Sequence, residues 1–232
     1  MERPARAAAD RSRPPERPLS AARWRPLTEG SAILLPLAAA TLAAARFAPV
    51  ITPLPLLAAG AVALAFRDPE RAIERRAGAA LSPADGRILR VGREFDDYWQ
   101  AEMTEIAIFL ALSDVHIQRV PLDGEVVAQR RKAGGYRPAM TEAATHGNNQ
   151  LATYLQTAIG PCTVTQISGL VARRIVSWTQ TGDRVAQGDR MGMIKFGSQV
   201  TLRLPITARV LVGAGDRVTG GVTVVAEVPA SV

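Results

Sequence analysis

Gly197 and Ser198 close the stretch Ile194-Lys195-Phe196-Gly197-Ser198, and His116 closes Ser113-Asp114-Val115-His116. These are the residues of the chain whose types could do covalent chemistry together. A serine hydroxyl within reach of the preceding carbonyl can attack it and turn an amide into an ester. Glycine at the attacked position lacks a Cβ and tolerates strained backbone. The attack needs a base for the hydroxyl proton, and histidine is the side chain best matched to neutral pH. His116 is the leading choice. It follows Glu105–Leu112, which reads as a buried strand, and Asp114 lies two residues before it. Taken alone, Gly-Ser is also an ordinary strand-end turn, and a lone histidine is more often structural than catalytic.

Other chemistries are poorly supplied. Cys162 stands alone, so no intrachain disulfide and no thiolate cage can form, which fits a reducing compartment. His116 and His146 are not at metal-ligand spacing, and no metal site is expected. The chain has neither a G-x-G-x-x-G fingerprint nor a P-loop. Lys132 and Lys195 are the only lysines, which leaves few places for a pyridoxal-type linkage. The net charge of +7 is carried almost wholly by arginine. Such a balance suits anionic headgroups or acidic substrates. The charge is scattered rather than interleaved with stacking aromatics, so no nucleic-acid partner is expected.

The elements that must position these residues fall into three parts. Residues 1–30 read as a disordered basic arm, with seven arginines and five prolines in its first 27 residues. Residues 31–66 read as a membrane-associated apolar hairpin. Its two runs, Ala32–Ala45 and Leu56–Phe66, are separated by Arg46, Pro49, Pro53 and Pro55. A bilayer span needs about 20 apolar residues. Each run falls short of that, which leaves dipping and spanning both open. Arginines flank both ends, including Arg67, Arg71, Arg75 and Arg76, and positive ends prefer the cytoplasm.

Residues 67–232 read as the third part, and from Gly78 onward, over 78–232, it reads as one mostly β domain of short runs between Gly and Asp turns. Val200–Leu204 alternates as a half-buried strand, and Ala139–Thr157 reads as partly helical. Asp85-Gly86-Arg87-Ile88 is echoed by Asp123-Gly124-Glu125-Val126, and Gly182-Asp183-Arg184-Val185 by Gly215-Asp216-Arg217-Val218. Asp-Gly between strand residues signals a hairpin turn. The expected fold class is mostly β (α+β): a short-stranded domain with lipoyl-like hairpin turns, preceded by an apolar helical hairpin.

Four stretches stand in a telling order: Ser82-Pro83-Ala84-Asp85-Gly86-Arg87, Ser113-Asp114-Val115-His116, Gly188-Asp189-Arg190-Met191-Gly192 and Ile194-Lys195-Phe196-Gly197-Ser198. Together they resemble the phosphatidylserine decarboxylase proenzymes, in their shorter bacterial and archaeal branch. Phe66-Arg67-Asp68-Pro69-Glu70-Arg71 and Ala172-Arg173-Arg174-Ile175-Val176 add to a likeness that runs from about Arg67 to the C-terminus. The resemblance implies self-cleavage between Gly197 and Ser198 into fragments 1–197 and 198–232, which stay together as a heterodimer. It implies a pyruvoyl group at position 198 that forms a Schiff base with the amine of phosphatidylserine. That group takes up the electrons released with carbon dioxide, as pyridoxal phosphate does elsewhere, and leaves phosphatidylethanolamine.

The resemblance also implies a charge-relay arrangement in which Asp85 and a histidine of the second motif activate the serine, with Asp114 beside them. Asp85 reads equally well as a plain turn residue. Longer relatives place a second histidine three residues after the first, where this chain has Arg119. Either His116 serves both self-cleavage and later proton transfer, or another group does one of the two. Gln199 stands where relatives commonly carry arginine.

With the apolar segment, the likeness implies a membrane-lipid substrate in phospholipid biosynthesis, met at the cytoplasmic face of the cell membrane by a peripheral or hairpin-anchored enzyme. Higher oligomerisation is left open. The competing reading is a lipoyl- or biotinyl-type carrier, or a membrane adaptor without self-cleavage. The Gly-Asp turns suit such sandwiches, and Met193-Ile194-Lys195 imitates a modified-lysine turn. Carriers lack the Asp85 and His116 motifs.

Overall fold

A computed structural model of the chain describes residues 25–170, 174–194 and 198–227. Most of the expected arm, 1–24, lies outside the described residues, and its last residues, 25–30, are helical. Helix α1 runs Arg25–Phe47, a 3₁₀ turn follows at Pro49–Ile51, and α2 runs Pro53–Ala65. Both prolines begin their elements, where no backbone N–H is needed.

The apolar part of α1, Thr28–Phe47, has 20 residues with mean hydropathy 1.5. At about 1.5 Å per residue it matches a hydrocarbon core of about 30 Å. The sequence reading made this run too short. The helix begins before Ala32 and continues through Arg46 to Phe47, so one helix is long and apolar enough to span. The helices pack on each other and return to the β domain together. Phe66 is buried there, and a Cβ on Gly30 would lie 3.0 Å from its ring. Leu35, Leu42, Val50, Leu54 and Leu57 remain exposed.

The rest is mostly β, built among the described residues from fourteen strands in three antiparallel sheets. In chain order these are β1 (Ala79–Leu81), β2 (Gly86–Asp96), β3 (Ala101–Leu110), β4 (Ile117–Arg119), β5 (Gly124–Lys132), β6 (Gln150–Thr157) and β7 (Gly160–Ile167). They continue as β8 (Ile175–Ser177), β9 (Arg184–Val185), β10 (Arg190–Ile194), β11 (Ser198–Pro205), β12 (Arg209–Val210), β13 (Arg217–Val218) and β14 (Val224–Glu227). A short α3 (Glu142–Gly147) precedes β6, the helical part expected within 139–157.

The large sheet has the order β13-β2-β3-β11-β7-β6-β5-β9, and the small ones are β4-β10-β8 and β1-β14-β12. Ile106, Ile108, Leu155, Val164, Val200 and Leu202 fill the aliphatic core from the large sheet. β11 was expected to be half-buried. Its outward side is buried too at Gln199 and Thr201, each 1% exposed, and Gln199 is covered by Thr145 of α3, while Arg203 stays half-buried.

The echoed sequences form two corners of one design. Gly86 pairs with Val218 of β13, and Gly124 pairs with Val185 of β9. Two residues on, the Ile88 N–H donates to the Asp216 carbonyl, as the Val126 N–H does to that of Asp183. The Gly220 N–H donates to the Asp85 carboxylate at 2.8 Å, and the Gln187 N–H to that of Asp123 at 2.7 Å. Neither Asp-Gly is therefore a hairpin tip, contrary to expectation. Glycine is needed for close approach instead: a Cβ on Gly86 would lie 2.0 Å from the Phe109 carbonyl oxygen, and one on Gly124 2.5 Å from that of Gln156.

Candidate active site

Ser198 opens β11 opposite Leu110, the last residue of β3. Six residues beyond Leu110, the His116 carbonyl accepts the Ile194 N–H at 3.2 Å, at the end of β10. The two chain segments are thus clamped together at both ends, and His116 and Ser198 stand at opposite ends of the clamp. Gly197 lies outside the described residues, with Lys195 and Phe196, as do Ala172 and Arg173.

Ser198 shares its face of β11 with Val200, Leu202 and Leu204, which point into the core. It is fully buried, and its hydroxyl has no hydrogen-bond partner among the described residues. Such an atom costs about 1–3 kcal/mol when left unsatisfied.

His116 is also fully buried. Desolvation pushes its pKa below the ordinary 6.5. A hydrogen bond to the Asp114 backbone and the charges of Asp114 and Asp85 oppose this, while the charge of Arg67 adds to it. The net direction favours neutral imidazole, the form that can accept a proton.

Asp114 shapes the loop before His116. Its carboxylate accepts the Ala111 N–H at 2.8 Å and pairs with Arg217 at 2.7 Å. The same turn recurs at Asp183, Asp189 and Asp216, each taking the N–H three residues earlier. The structure thus gives Asp114 a turn-closing position.

Both oxygens of Asp85 are engaged by Arg71, at 2.7 Å each, and one also by the Gly220 N–H. Asp85 reaches His116 through its charge. Arg71 belongs to the 66–71 strap joining α2 to the β domain. Along this strap Arg67 donates to the Ser113 carbonyl at 2.6 Å, and Asp68 pairs with Arg190 at 2.7 Å. Arg119 donates to the Gly188 carbonyl at 2.9 Å and lies 3.7 Å from Asp68. Burial and the neighbouring Arg190 and Arg71 lower its pKa to about 10, so it is still a cation at neutral pH and cannot take a proton. Gln199 faces away from the Ser198 side, paired with Thr145.

Sequence reasoning missed three residues beside this site. Gln118 donates to the His116 carbonyl at 2.9 Å, and Gln166 donates to Gln118 at 2.8 Å. Ser168 sits just past β7, where the antiparallel pairing of Gln199 with Ile167, carried one residue on, sets it opposite Ser198. All three are fully buried, and Gln166 Oε1 and the Ser168 hydroxyl have no partner among the described residues. The available signal was a glutamine and a serine at inward positions of the run Val164-Thr165-Gln166-Ile167-Ser168.

A profile of the phosphatidylserine decarboxylase family matches residues 59–226, which include the strap, His116 and Ser198. A chain from Aromatoleum aromaticum named phosphatidylserine decarboxylase proenzyme is 41% identical over 165 residues, covering 71% of this chain and 77% of its own length. A proenzyme of the same name from Burkholderia pseudomallei is 41% identical, with 71% and 76% covered. Another, from Saccharopolyspora erythraea, is 42% identical over 167 residues, covering 70% and 71%.

Proposed function

The chain belongs to the phosphatidylserine decarboxylase family, and from that premise we propose that it cleaves itself between Gly197 and Ser198 and then converts phosphatidylserine to phosphatidylethanolamine and carbon dioxide. The observation that carries this reading is the buried hydroxyl of Ser198, without a hydrogen-bond partner among the described residues, at the mouth of a central strand clamped to the segment that bears His116.

In self-cleavage His116, neutral, takes the Ser198 proton as the hydroxyl oxygen attacks the carbonyl of residue 197. The peptide C–N bond breaks as the proton held by His116 passes to the departing nitrogen, and the fragment 1–197 is carried as an ester. Elimination then gives the serine Cα proton to a base, breaks the Cβ–O bond and frees the carboxylate of Gly197, and one water turns the remaining dehydroalanine into a ketone and ammonia. Asp85 stabilises positive charge on His116 from a distance, and Asp114 keeps the loop in register. The residues present fit a pyruvoyl group, since the buried Ser198 hydroxyl has no hydrogen-bond partner among the described residues to lose. A ketone there supplies an electrophile for the substrate amine and a sink for the electrons left as carbon dioxide departs. His116 then returns a proton to the product. Arg119 is a strap anchor, so His116 serves both stages.

The two fragments remain one molecule because β11 is the middle of the large sheet, held by β3 and β7 from the other fragment. The hairpin anchors the enzyme at the cytoplasmic face of the cell membrane, since its apolar side chains stay exposed. A denaturing gel of purified protein tests the reading together with carbon dioxide release from phosphatidylserine vesicles without added cofactor. Two bands and hydroxylamine-sensitive release are expected, and an uncut, inactive chain would overturn it. Leu54→Arg with Leu57→Arg should shift the protein off vesicles, at about 2.5–3.5 kcal/mol per buried arginine, and leave cleavage intact.

A further inference from the structure

We propose that Gln166 seats the amine nitrogen of the substrate headgroup beside position 198, with Gln118 holding it in place; this rests on position 198 being the reacting group. The direction of the amide chain carries the argument. A backbone carbonyl can only accept, so the Gln118 Nε2 must face the His116 oxygen, to which it donates at 2.9 Å. That turns the Gln118 Oε1 toward Gln166, whose Nε2 donates to it at 2.8 Å. The chain therefore ends on an acceptor, the Gln166 Oε1, which is buried and has no donor among the described residues.

Register sets this acceptor near the reacting position. Gln166 lies opposite Val200, and Ser198 is two residues along the same face of β11. Diagonal neighbours across a sheet are about 7–8 Å apart, within the span of a glutamine side chain and a bound amine. Gly192, from the Gly188–Gly192 motif, leaves the room. A Cβ there would lie 3.0 Å from the Gln166 Nε2, 3.3 Å from its Oε1 and 2.4 Å from the Val176 carbonyl oxygen. The chemistry also fits. An amine must shed its proton before it can attack a ketone. A neutral carboxamide accepts its N–H without stabilising the ammonium form as a carboxylate would.

The test compares two soluble short-chain lipids: phosphatidylserine, and the same lipid with a 3-hydroxypropionate headgroup lacking only the amine. The matured full chain is first reduced with borohydride, so that ligands bind without turnover, and affinity is read by calorimetry. Gln166→Leu should weaken binding of phosphatidylserine about tenfold, the size of one lost hydrogen bond, and leave the amine-free lipid unchanged. Gln118→Leu, which leaves Gln166 unheld, should lose part of the same preference and decides the matter if Gln166→Leu does not fold. Equal loss for both lipids, or loss for neither, would overturn the role of Gln166. An uncut wild-type chain would instead overturn the assignment of position 198, while the two-lipid comparison would still read Gln166 by itself.

Discussion

The Asp85 and Asp123 corners share one backbone design and differ in their surroundings. Each aspartate precedes a strand-opening glycine and takes one N–H from a turn two residues beyond its β partner. Asp123 is exposed, and among the described residues its carboxylate accepts only this N–H. Asp85 is 16% exposed, carries a bidentate ion pair to Arg71, and contributes charge at His116. The corner by itself needs one acceptor oxygen. What Asp85 has beyond that sets the two corners apart, so they form an internal control for the role in cleavage proposed for Asp85.

The largest expected effect sets the scale for that control. Ser198→Ala should stay a single chain on a denaturing gel, with no fragment of 198–232, while both corners remain intact. Cutting at the same place in this variant would remove Ser198 as the nucleophile. His116→Ala should slow cleavage by about 10²–10⁴-fold, the usual worth of a positioned base. A normal time course of fragment appearance would reduce His116 to a packing residue and make the two corners equivalent.

The corners themselves separate when each aspartate is changed to an isostere that keeps an acceptor oxygen. Asp85→Asn should slow cleavage about tenfold, the worth of a charge-assisted interaction of about 1.5 kcal/mol. Asp123→Asn should leave the rate at the wild-type value. Equal rates in the two variants would return Asp85 to a turn residue. With alanine both corners lose a cap, and urea unfolding should show the greater loss at Asp85. There the buried Arg71 guanidinium is left uncompensated, a penalty of about 3–5 kcal/mol in buried pairs.

The smallest effect is in the pH profile. His116 has a pKa below 6.5, so its neutral form persists as the solution is acidified through that value. Cleavage should stay level there and fall only at lower pH, where protonation removes the base. The charge of Asp85 raises the His116 pKa, so Asp85→Asn should move the fall further toward acid. Asp123→Asn should not move it, and a shift of the same size in both variants would erase the distinction between the corners.

Much of this molecule is local and therefore readable along the chain. The order of the motifs, the Gly197-Ser198 dipeptide, the apolar run before His116 and the echoed Asp-Gly and Gly-Asp pairs are patterns of neighbouring residues. Strand character follows from the same short-range chemistry. The apolar character of the segment was legible as well, although the length of α1 was not. One arginine near the end of an apolar helix interrupts a composition count without interrupting the backbone hydrogen bonds.

What only the tertiary structure decided concerns partners distant in sequence. Asp85 and Asp123 look alike in the chain, and the strap that delivers Arg71 to one of them distinguishes the two. Arg119 reads as a substitute for a catalytic group until its guanidinium is seen on Gly188 and beside Asp68. Gln118 and Gln166 are 48 residues apart, and each alone is an unremarked polar residue in a strand. The role of a carboxamide or guanidinium is set by what it is buried against. Sheet register brings those groups together only when the whole core closes.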